Sequence, residues 1–128
     1  MIEQTRGRGQ RVARNNDLLR KIMFRSKHGR KEGMCRIHKV NTLLHERTKL
    51  EVMYWLMKHG YTVHSEVEFL DMSGRADIVA IQNGQGFIVE ILASESEEKY
   101  FNKTVKYPKE FTMVKVYAKD FKYNEFAL

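Results

Sequence analysis

The stretch from Gly74 to Ser96 reads GRADIVAIQNGQGFIVEILASES. Two short apolar runs flank an Asn-Gly dipeptide, which is the strongest short-range signal for a two-residue hairpin turn. Each run carries one carboxylate, Asp77 on the first arm and Glu90 on the second. A buried acid is costly unless it has a partner, so this hairpin decides both the fold and the candidate site.

The length of the turn determines where the two acids lie. A two-residue turn places Asp77 opposite Glu90, whereas a four-residue NGQG loop shifts the pairing by two and places Asp77 opposite Leu92. Both loops keep Asp77 and Glu90 on one side of the sheet, because side chains alternate with period two; a three-residue loop would not. Two carboxylates this close repel unless one is protonated or a cation lies between them.

Asp and Glu oxygens are suitable ligands for Mg²⁺ or Mn²⁺, so the hairpin predicts a metal site at Asp77 and Glu90. Such an ion can bind a phosphate, polarise it and activate a water molecule. The alternative is a strand pair whose acids face solvent or pair with a base such as Arg75.

The surrounding sequence predicts an α/β domain. Ser94-x-x-Glu97 is a capping-box pattern, and Pro108 ends the helix that it starts. The order helix–strand–strand–strand–helix–strand is typical of an α/β sandwich built on a mixed sheet. The predicted elements are a helix from Asn41 or Thr42 to His59, strands at 62–70, 76–82 and 87–93, a helix from Ser94 to Val105, and a strand at 111–118.

The first of these helices carries an acid among its apolar residues. Its predicted apolar face consists of Leu43, Leu50, Tyr54 and Met57. At 100° per residue Glu46 falls inside that face, and Glu51 falls at its margin. A carboxylate on a core-facing stripe requires a partner or a metal, so Glu46 is the better candidate for a site residue.

The positive charge is concentrated before the hairpin. Residues 1–40 hold 12 Lys and Arg against 3 Asp and Glu, whereas residues 41–128 hold 11 against 13. We therefore predict a basic, partly helical arm over 1–40 and an α/β body over 41–128. A basic arm on a near-neutral body is typical of a protein that binds nucleic acid. The basic residues that we predict to contact it are Arg6, Arg8, Arg11, Arg14, Arg25, Lys27, Arg30 and Lys31.

Composition also indicates the cellular location to be expected for the protein. No run of about 18 apolar residues occurs, so we expect no membrane-spanning helix. The Arg-rich N-terminus lacks the apolar segment of a secretory signal. The single cysteine, Cys35, cannot form an internal disulfide and fits a reducing, intracellular and cytoplasmic setting.

These motifs together resemble the PD-(D/E)XK, restriction-endonuclease-like nuclease superfamily. The resemblance is carried by HERTK at 45–49, Glu66, GRADIV at 74–79, IVEI at 88–91 and Ser94. It implies a mixed sheet flanked by helices, hydrolysis of DNA with Mg²⁺ or Mn²⁺, and Asp77 and Glu90 as the strand acids. Glu46 or, less well placed, Glu51 would be the helix acid. The branch with His-x₃-Lys on the helix and a Ser after the Glu is the most similar; it includes competence-associated, archaeal and viral members, so the setting extends to the host cell of an archaeal virus.

The sequence departs from this pattern at Leu92, where the superfamily usually has a lysine that assists the attacking water. Lys49 on the first helix and Lys99 on the second are candidates for a relocated lysine. His45 and Lys49 share one side of their helix and are placed to approach a phosphate, as are Arg75 and the capping Ser94.

The sequence thus predicts a metal-dependent nuclease that acts on duplex or branched DNA, with Asp77, Glu90, Glu46 and Lys49 or Lys99 as catalytic residues. Small nucleases of this fold often act as dimers, so the resemblance also implies a homodimer. One alternative is a catalytically inactive nuclease-fold protein that binds nucleic acid, for which Leu92 is the best support. Another is a basic arm that contacts an acidic protein.

Overall fold

The computed structural model describes residues 8–23, 32–69, 74–93 and 96–128. Within these ranges three strands follow one another between the second and third helices, and two short 3₁₀ turns, Ala118–Asp120 and Tyr123–Glu125, follow the last strand. The elements are helix α1 (Arg8–Leu19), strand β1 (Ile22–Met23), helix α2 (Leu43–Lys58), strands β2 (Thr62–Phe69), β3 (Arg75–Gln82) and β4 (Gln85–Leu92), helix α3 (Glu97–Thr104) and strand β5 (Phe111–Tyr117).

The strands form one mixed sheet in the order β1-β2-β3-β4-β5. Neighbouring strands are antiparallel except β4 and β5, which are parallel because α3 carries the chain back across the sheet between them. The predicted fold class, an α/β fold with a restriction-endonuclease-like mixed sheet flanked by helices, is confirmed.

The hairpin turn has the shorter of the two even lengths considered. Gln82 pairs with Gln85, and Asn83 and Gly84 between them have φ values of 52° and 81°. Positive φ at both central residues is the property of a type I′ turn, whose twist matches that of the strands. The register continues regularly as far as Ile78 opposite Val89, so the two-residue turn is confirmed.

Two apolar clusters lie on the two faces of the sheet. Under α1, Leu18 packs in one cluster with strand residues that include Val79 and Ile88. Under α2, Val52 and Leu56 pack in the other. Burial of a large apolar side chain contributes about 1.5–3 kcal/mol, so these clusters fix both helices on the sheet.

Helix α2 begins where the sequence indicates, because the hydroxyl of its cap residue Thr42 accepts a hydrogen bond from the backbone N–H of His45. The apolar face predicted for this helix is wrong. Its members are 46–81% exposed: Leu43, Leu50, Tyr54 and Met57. The helix turns a mixed face to the sheet instead, with His45, Glu46 and Lys49 buried beside apolar residues. The position of apolar residues did not predict the buried face of α2, because that face carries His45, Glu46 and Lys49.

One other predicted bound is also corrected. Helix α3 is capped by Ser96, whose hydroxyl accepts a hydrogen bond from the backbone N–H of Lys99, and not by Ser94. Within the arm predicted to be partly helical, α1 ends at Leu19, and Ile22 pairs with Phe69 as a strand residue. Across the described residues, no helix combines the length and apolarity needed to cross a membrane.

Candidate active site

The strand ladder of the hairpin stops where its two acids begin. Beyond Ile78 and Val89, the carboxylates replace backbone carbonyls as acceptors. Glu90 Oε2 accepts a hydrogen bond from the backbone N–H of Asp77 at 2.9 Å, and Asp77 Oδ2 accepts one from that of Ile91 at 2.8 Å. The strands are thus joined by two crossed side-chain bonds, which hold Asp77 beside Glu90 as the turn parity predicts.

The alternation of β3 also breaks at this point. Ala76 belongs to the cluster under α1, whereas Ile78, two residues further on, belongs to the cluster under α2. Residues two apart in a regular strand share a face. Opposite this break, β2 carries Glu66 between two residues of its own ladder with β3, and Glu66 has a φ of 50°. This left-handed backbone costs a residue with a side chain roughly 1–2 kcal/mol, and such conformations concentrate at functional sites.

Helix α2 contributes a buried carboxylate, Glu46, next to the break. Glu46 Oε1 accepts hydrogen bonds from the backbone N–H of His38 at 2.6 Å and from the side-chain amide of Asn41 at 3.3 Å. Burial would raise the pKa of Glu46, but its contact with Lys49 and the His38 N–H lower that pKa to about 2. Glu46 is therefore an anion at every pH at which the protein is expected to act.

Lys49 lies at the centre of a buried ionic cluster. It is fully buried, and its Nζ lies 2.8 Å from Glu46 Oε2 and 3.1 Å from Glu66 Oε2. The same ammonium donates to the backbone carbonyl of Arg36. Burial would lower the pKa of Lys49, but its two carboxylate partners raise it. Its donors point at these partners, so Lys49 links α2 to β2.

His45 connects the helix acid to the hairpin. Its Nδ1 lies 3.3 Å from Glu46 Oε2 and its Nε2 lies 3.4 Å from Asp77 Oδ2. The hydrogen bond with Asp77 is the main cause that raises the pKa of His45, against the opposing effect of burial. A histidine between two carboxylates fixes the orientation of Asp77 relative to α2.

A lysine from helix α3 reaches the second hairpin acid. Lys103 Nζ lies 2.5 Å from Glu90 Oε1, and the side chain of Glu90 is almost completely buried. Burial is the largest cause that raises the pKa of Glu90 to about 7, followed by the charge of Asp77, while Lys103 acts in the opposite direction. The surroundings thus lower the pKa of Glu46 and raise that of Glu90, so the two carboxyl groups of the site differ in acidity.

Two adjoining clefts, of about 280 and 210 Å³, open onto these groups. Asp77 and Lys103 line both clefts, Arg75 lines the larger one and His45 the smaller. Arg75 is about half exposed, and its Nε lies 3.5 Å from Glu66 Oε1. Asp77 and Lys103 are therefore the shared centre of the open part of the site.

The structure separates the predicted nucleic-acid contacts into groups. His45 and Arg75 lie at the clefts. Arg8, Arg11 and Arg14 lie on α1, which packs against the other face of the sheet. The remaining predicted contacts lie outside the described residues: Arg6, Arg25, Lys27, Arg30, Lys31 and Ser94.

The two candidate lysines occupy different places. Lys49 lies in the buried cluster, whereas Lys99 is exposed near the start of α3. The lysine at Glu90 is Lys103, which sequence reasoning missed although it lies one helical turn after Lys99 on the same side of α3. The spacing of four residues from Lys99 was the feature of the sequence that could have identified Lys103. Leu92, the residue at the usual lysine position, is 1% exposed and belongs to the apolar core.

With the site described, the chain can be compared with known proteins. It matches the family described as competence protein CoiA, nuclease-like domain, over residues 41–114, more than half of its length. The chain belongs to this family. The nuclease-like character expected from the hairpin and helix motifs is confirmed at this level.

The range matched by the CoiA nuclease-like domain contains every residue of the ionic site: Glu46, Lys49, Glu66, Asp77, Glu90 and Lys103. Helix α1 lies before it. Searches among curated proteins and among solved structures give no match.

Proposed function

We propose that this protein is a metal-dependent nuclease of the PD-(D/E)XK superfamily that hydrolyses DNA phosphodiester bonds at Asp77 and Glu90. One observation carries the proposal. The ladder between β3 and β4 is replaced by crossed bonds from the two carboxylates, which lie side by side next to a cleft that also holds Lys103. Membership of the CoiA nuclease-like family supports the same reading.

The donor set fits Mg²⁺ or Mn²⁺. Among residues 8–23, 32–69, 74–93 and 96–128, no group of three or more His, Cys, Asp or Glu is arranged to hold a metal. Mg²⁺, however, is commonly bound by one or two carboxylates together with water and substrate phosphate. Glu90 Oε1 is buried and faces the ammonium of Lys103 at 2.5 Å, so positive charge is already favoured at this oxygen. The repulsion between Asp77 and Glu90 also favours a cation between the two carboxylates.

When bound, the ion would polarise the scissile phosphate and lower the pKa of an attacking water. The protein's own contribution is positioning. Asp77 and Glu90 are held by backbone N–H groups, and His45 fixes Asp77 from the side of α2. Glu46 acts through His45, and Lys49 acts by joining Glu46 to Glu66.

Lys103 takes the role of the lysine that Leu92 cannot supply. Its ammonium lines both clefts and lies at Glu90, which places a positive charge where an attacking water and the phosphate oxygens would meet. A positive charge placed where negative charge develops stabilises the transition state. Arg75, at the edge of the larger cleft, is suited to bind a substrate phosphate.

The test is a cleavage assay on single-stranded, duplex and branched DNA with Mg²⁺, Mn²⁺ or EDTA. We expect cleavage with either metal, none in EDTA, and a loss of at least about 100-fold in Asp77→Asn, since loss of even supporting groups around a metal costs up to that factor. An Asp77→Asn variant as active as the parent would exclude this site.

A pair of variants on α3 tests the lysine. Lys103→Met is expected to lower kcat by about 100-fold, the typical cost of one transition-state donor, and Lys99→Met to lower it much less. Both remove one charge from the same exposed helix surface. The opposite order would assign the role to Lys99.

A second candidate function is supported by Leu92 itself, namely a nuclease-fold protein that binds DNA without cutting it. This function predicts DNA binding that weakens with salt, with no cleavage under any metal tested. The same assay therefore separates the two functions.

A further inference from the structure

Helix α1 and the segment after α3 enclose a groove of about 1230 Å³ that is separate from the carboxylate clefts. One wall comes from α1 and the residues that follow it, and the other comes from residues 106–110. Leu18 and Tyr107 form part of its floor and are each 2% exposed. We refer to it as the α1 groove.

The α1 groove carries a net positive charge. Its lining includes five cationic side chains and two carboxylates. Both carboxylates are already paired with groove cations, because Asp17 lies 2.5 Å from Arg20 and Glu110 lies 3.0 Å from Lys21. The remaining cationic residues of the groove are Arg14, Lys106 and Lys109.

These remaining charges have neutral partners or face solvent. Arg14 Nε donates to the backbone carbonyl of Gly84 at 3.3 Å, and Lys109 Nζ donates to that of Val105 at 2.6 Å. Lys106 is exposed. A carbonyl fixes the position of a cation without cancelling its charge, so the groove presents two positioned charges, Arg14 and Lys109, and the exposed charge of Lys106 to a ligand.

The groove is physically joined to the carboxylate site. Tyr107 of its floor donates a hydrogen bond from its hydroxyl to the backbone carbonyl of Arg75 at 2.8 Å, and the side chain of Arg75 lines the larger cleft. Lys106 follows Lys103 by three residues, just past the end of α3. The positive charges therefore run from the cleft, past the end of α3, into the groove.

From this arrangement we infer that the α1 groove binds the phosphodiester backbone of the substrate DNA strand on one side of the scissile bond. The inference rests on the proposed action on DNA and extends it by assigning a second contact. Cations spread over α1 and residues 106–109 suit a strand of phosphates better than a single phosphate, since each contact with the strand releases condensed counterions.

The experiment measures DNA affinity of the full chain in EDTA, where no metal supports cleavage, as a function of salt. The variant is Lys106→Gln/Lys109→Gln, and both residues are exposed, so folding should be retained. The control is Lys119→Gln/Lys122→Gln, which removes the same charge beside the α2 cluster, to which Ala118 belongs.

We expect the groove variant to raise Kd for single-stranded DNA about tenfold near 0.1 M salt and to reduce the salt slope by about 1.4, which corresponds to two lost contacts. The control variant should change neither quantity. Equal effects in the two variants, or none in either, would overturn the inference. Displacement of the DNA by poly-glutamate at equal charge concentration would also overturn it in favour of an acidic protein partner.

The result is separable from the proposed reaction. If the parent cuts DNA but the groove variant binds like the parent, the groove assignment fails and the nuclease proposal stands. If no metal supports cleavage but the groove variant loses affinity, the reaction fails and the groove stands as a DNA contact.

Discussion

The two ends of the hairpin formed by β3 and β4 are joined by different kinds of hydrogen bond. At the turn end, backbone groups pair regularly from Gln82 opposite Gln85 to Ile78 opposite Val89. At the open end, side-chain carboxylates replace the backbone acceptors, and the facing strand adopts a left-handed residue. The same two strands therefore provide a rigid base and a strained site. The regular end fixes the register of the two strands, and this register brings two like charges together at the open end.

The largest effect is expected where the open end depends on buried charge. Lys49→Met removes the cation between Glu46 and Glu66 and leaves two buried carboxylates uncompensated. We expect the free energy of unfolding to fall by about 3–5 kcal/mol, the usual cost of breaking a buried ion pair from one side. Chemical denaturation measures it.

Lys58→Met is the matched control, because Lys58 is an exposed lysine of the same helix. It should stay within about 0.5 kcal/mol of the parent. If Lys49→Met were equally harmless, the buried cluster would not support the open end.

The next largest effect is a loss of folding stability at low pH. The pKa of Glu46 is about 2 in the folded protein against 4.5 for the ordinary group. A carboxyl whose folded pKa is depressed stabilises the protein above the unfolded pKa, and this contribution is lost as the pH falls from about 4.5 through 2. The loss is on the order of 3 kcal/mol.

Denaturation curves between pH 6 and pH 2 measure this loss, and Glu46→Gln supplies the comparison. The variant should lack this part of the pH dependence. A parent and variant with parallel curves would contradict the assignment of the low pKa to Glu46.

A smaller effect is expected at the turn end. Gly84→Ala places a side chain at a φ of 81°, which costs roughly 1–2 kcal/mol in a left-handed conformation. We expect lower stability with unchanged metal dependence of cleavage, measured by thermal unfolding and by the cleavage assay. A change in metal dependence would show that the two ends are not independent.

The smallest expected effect on stability is a gain and not a loss. Asp77→Asn keeps an oxygen that accepts the N–H of Ile91 but removes the charge that repels Glu90. In metal-free buffer at pH 8 we expect a gain of about 1 kcal/mol in stability. In the assay with Mg²⁺ or Mn²⁺ the same variant should lose cleavage. Asp120→Asn, at an exposed position, should produce neither; a destabilised Asp77→Asn variant would mean that the site stores no repulsion.

The sequence was sufficient for the regular end of the hairpin and for part of the open end. An Asn-Gly turn and period-two alternation place Asp77 and Glu90 on one side of the sheet for either even turn length, since both are local rules. The choice between the two turn lengths came from the structure. Glu46 was identified although the apolar face assigned to its helix was wrong. The predicted apolar face was wrong because Leu43 and the other apolar residues assigned to it are exposed, whereas Lys49 is buried through ion pairs. A hydropathy pattern does not detect burial of that kind.

Other features depended on tertiary contacts. Lys103 reaches Glu90 only because α3 begins at Glu97 and crosses the sheet between β4 and β5. The left-handed backbone at Glu66 could not be predicted from the sequence, because the residue is not glycine, which usually adopts this conformation. The α1 groove joins two segments far apart in the chain, so its charge could be counted from the sequence but not placed.

We propose that the open end of the hairpin binds a divalent cation through Asp77 and Glu90. Calorimetric titration of the protein with Mn²⁺ at pH 8, beside Asp77→Asn, tests it most directly. We predict saturable binding near one ion per chain in the parent, weaker binding at pH 5.5 where Glu90, with its pKa of about 7, is protonated, and at least about 100-fold weaker binding in the variant. Equal binding by both proteins, or none by the parent, would contradict the account.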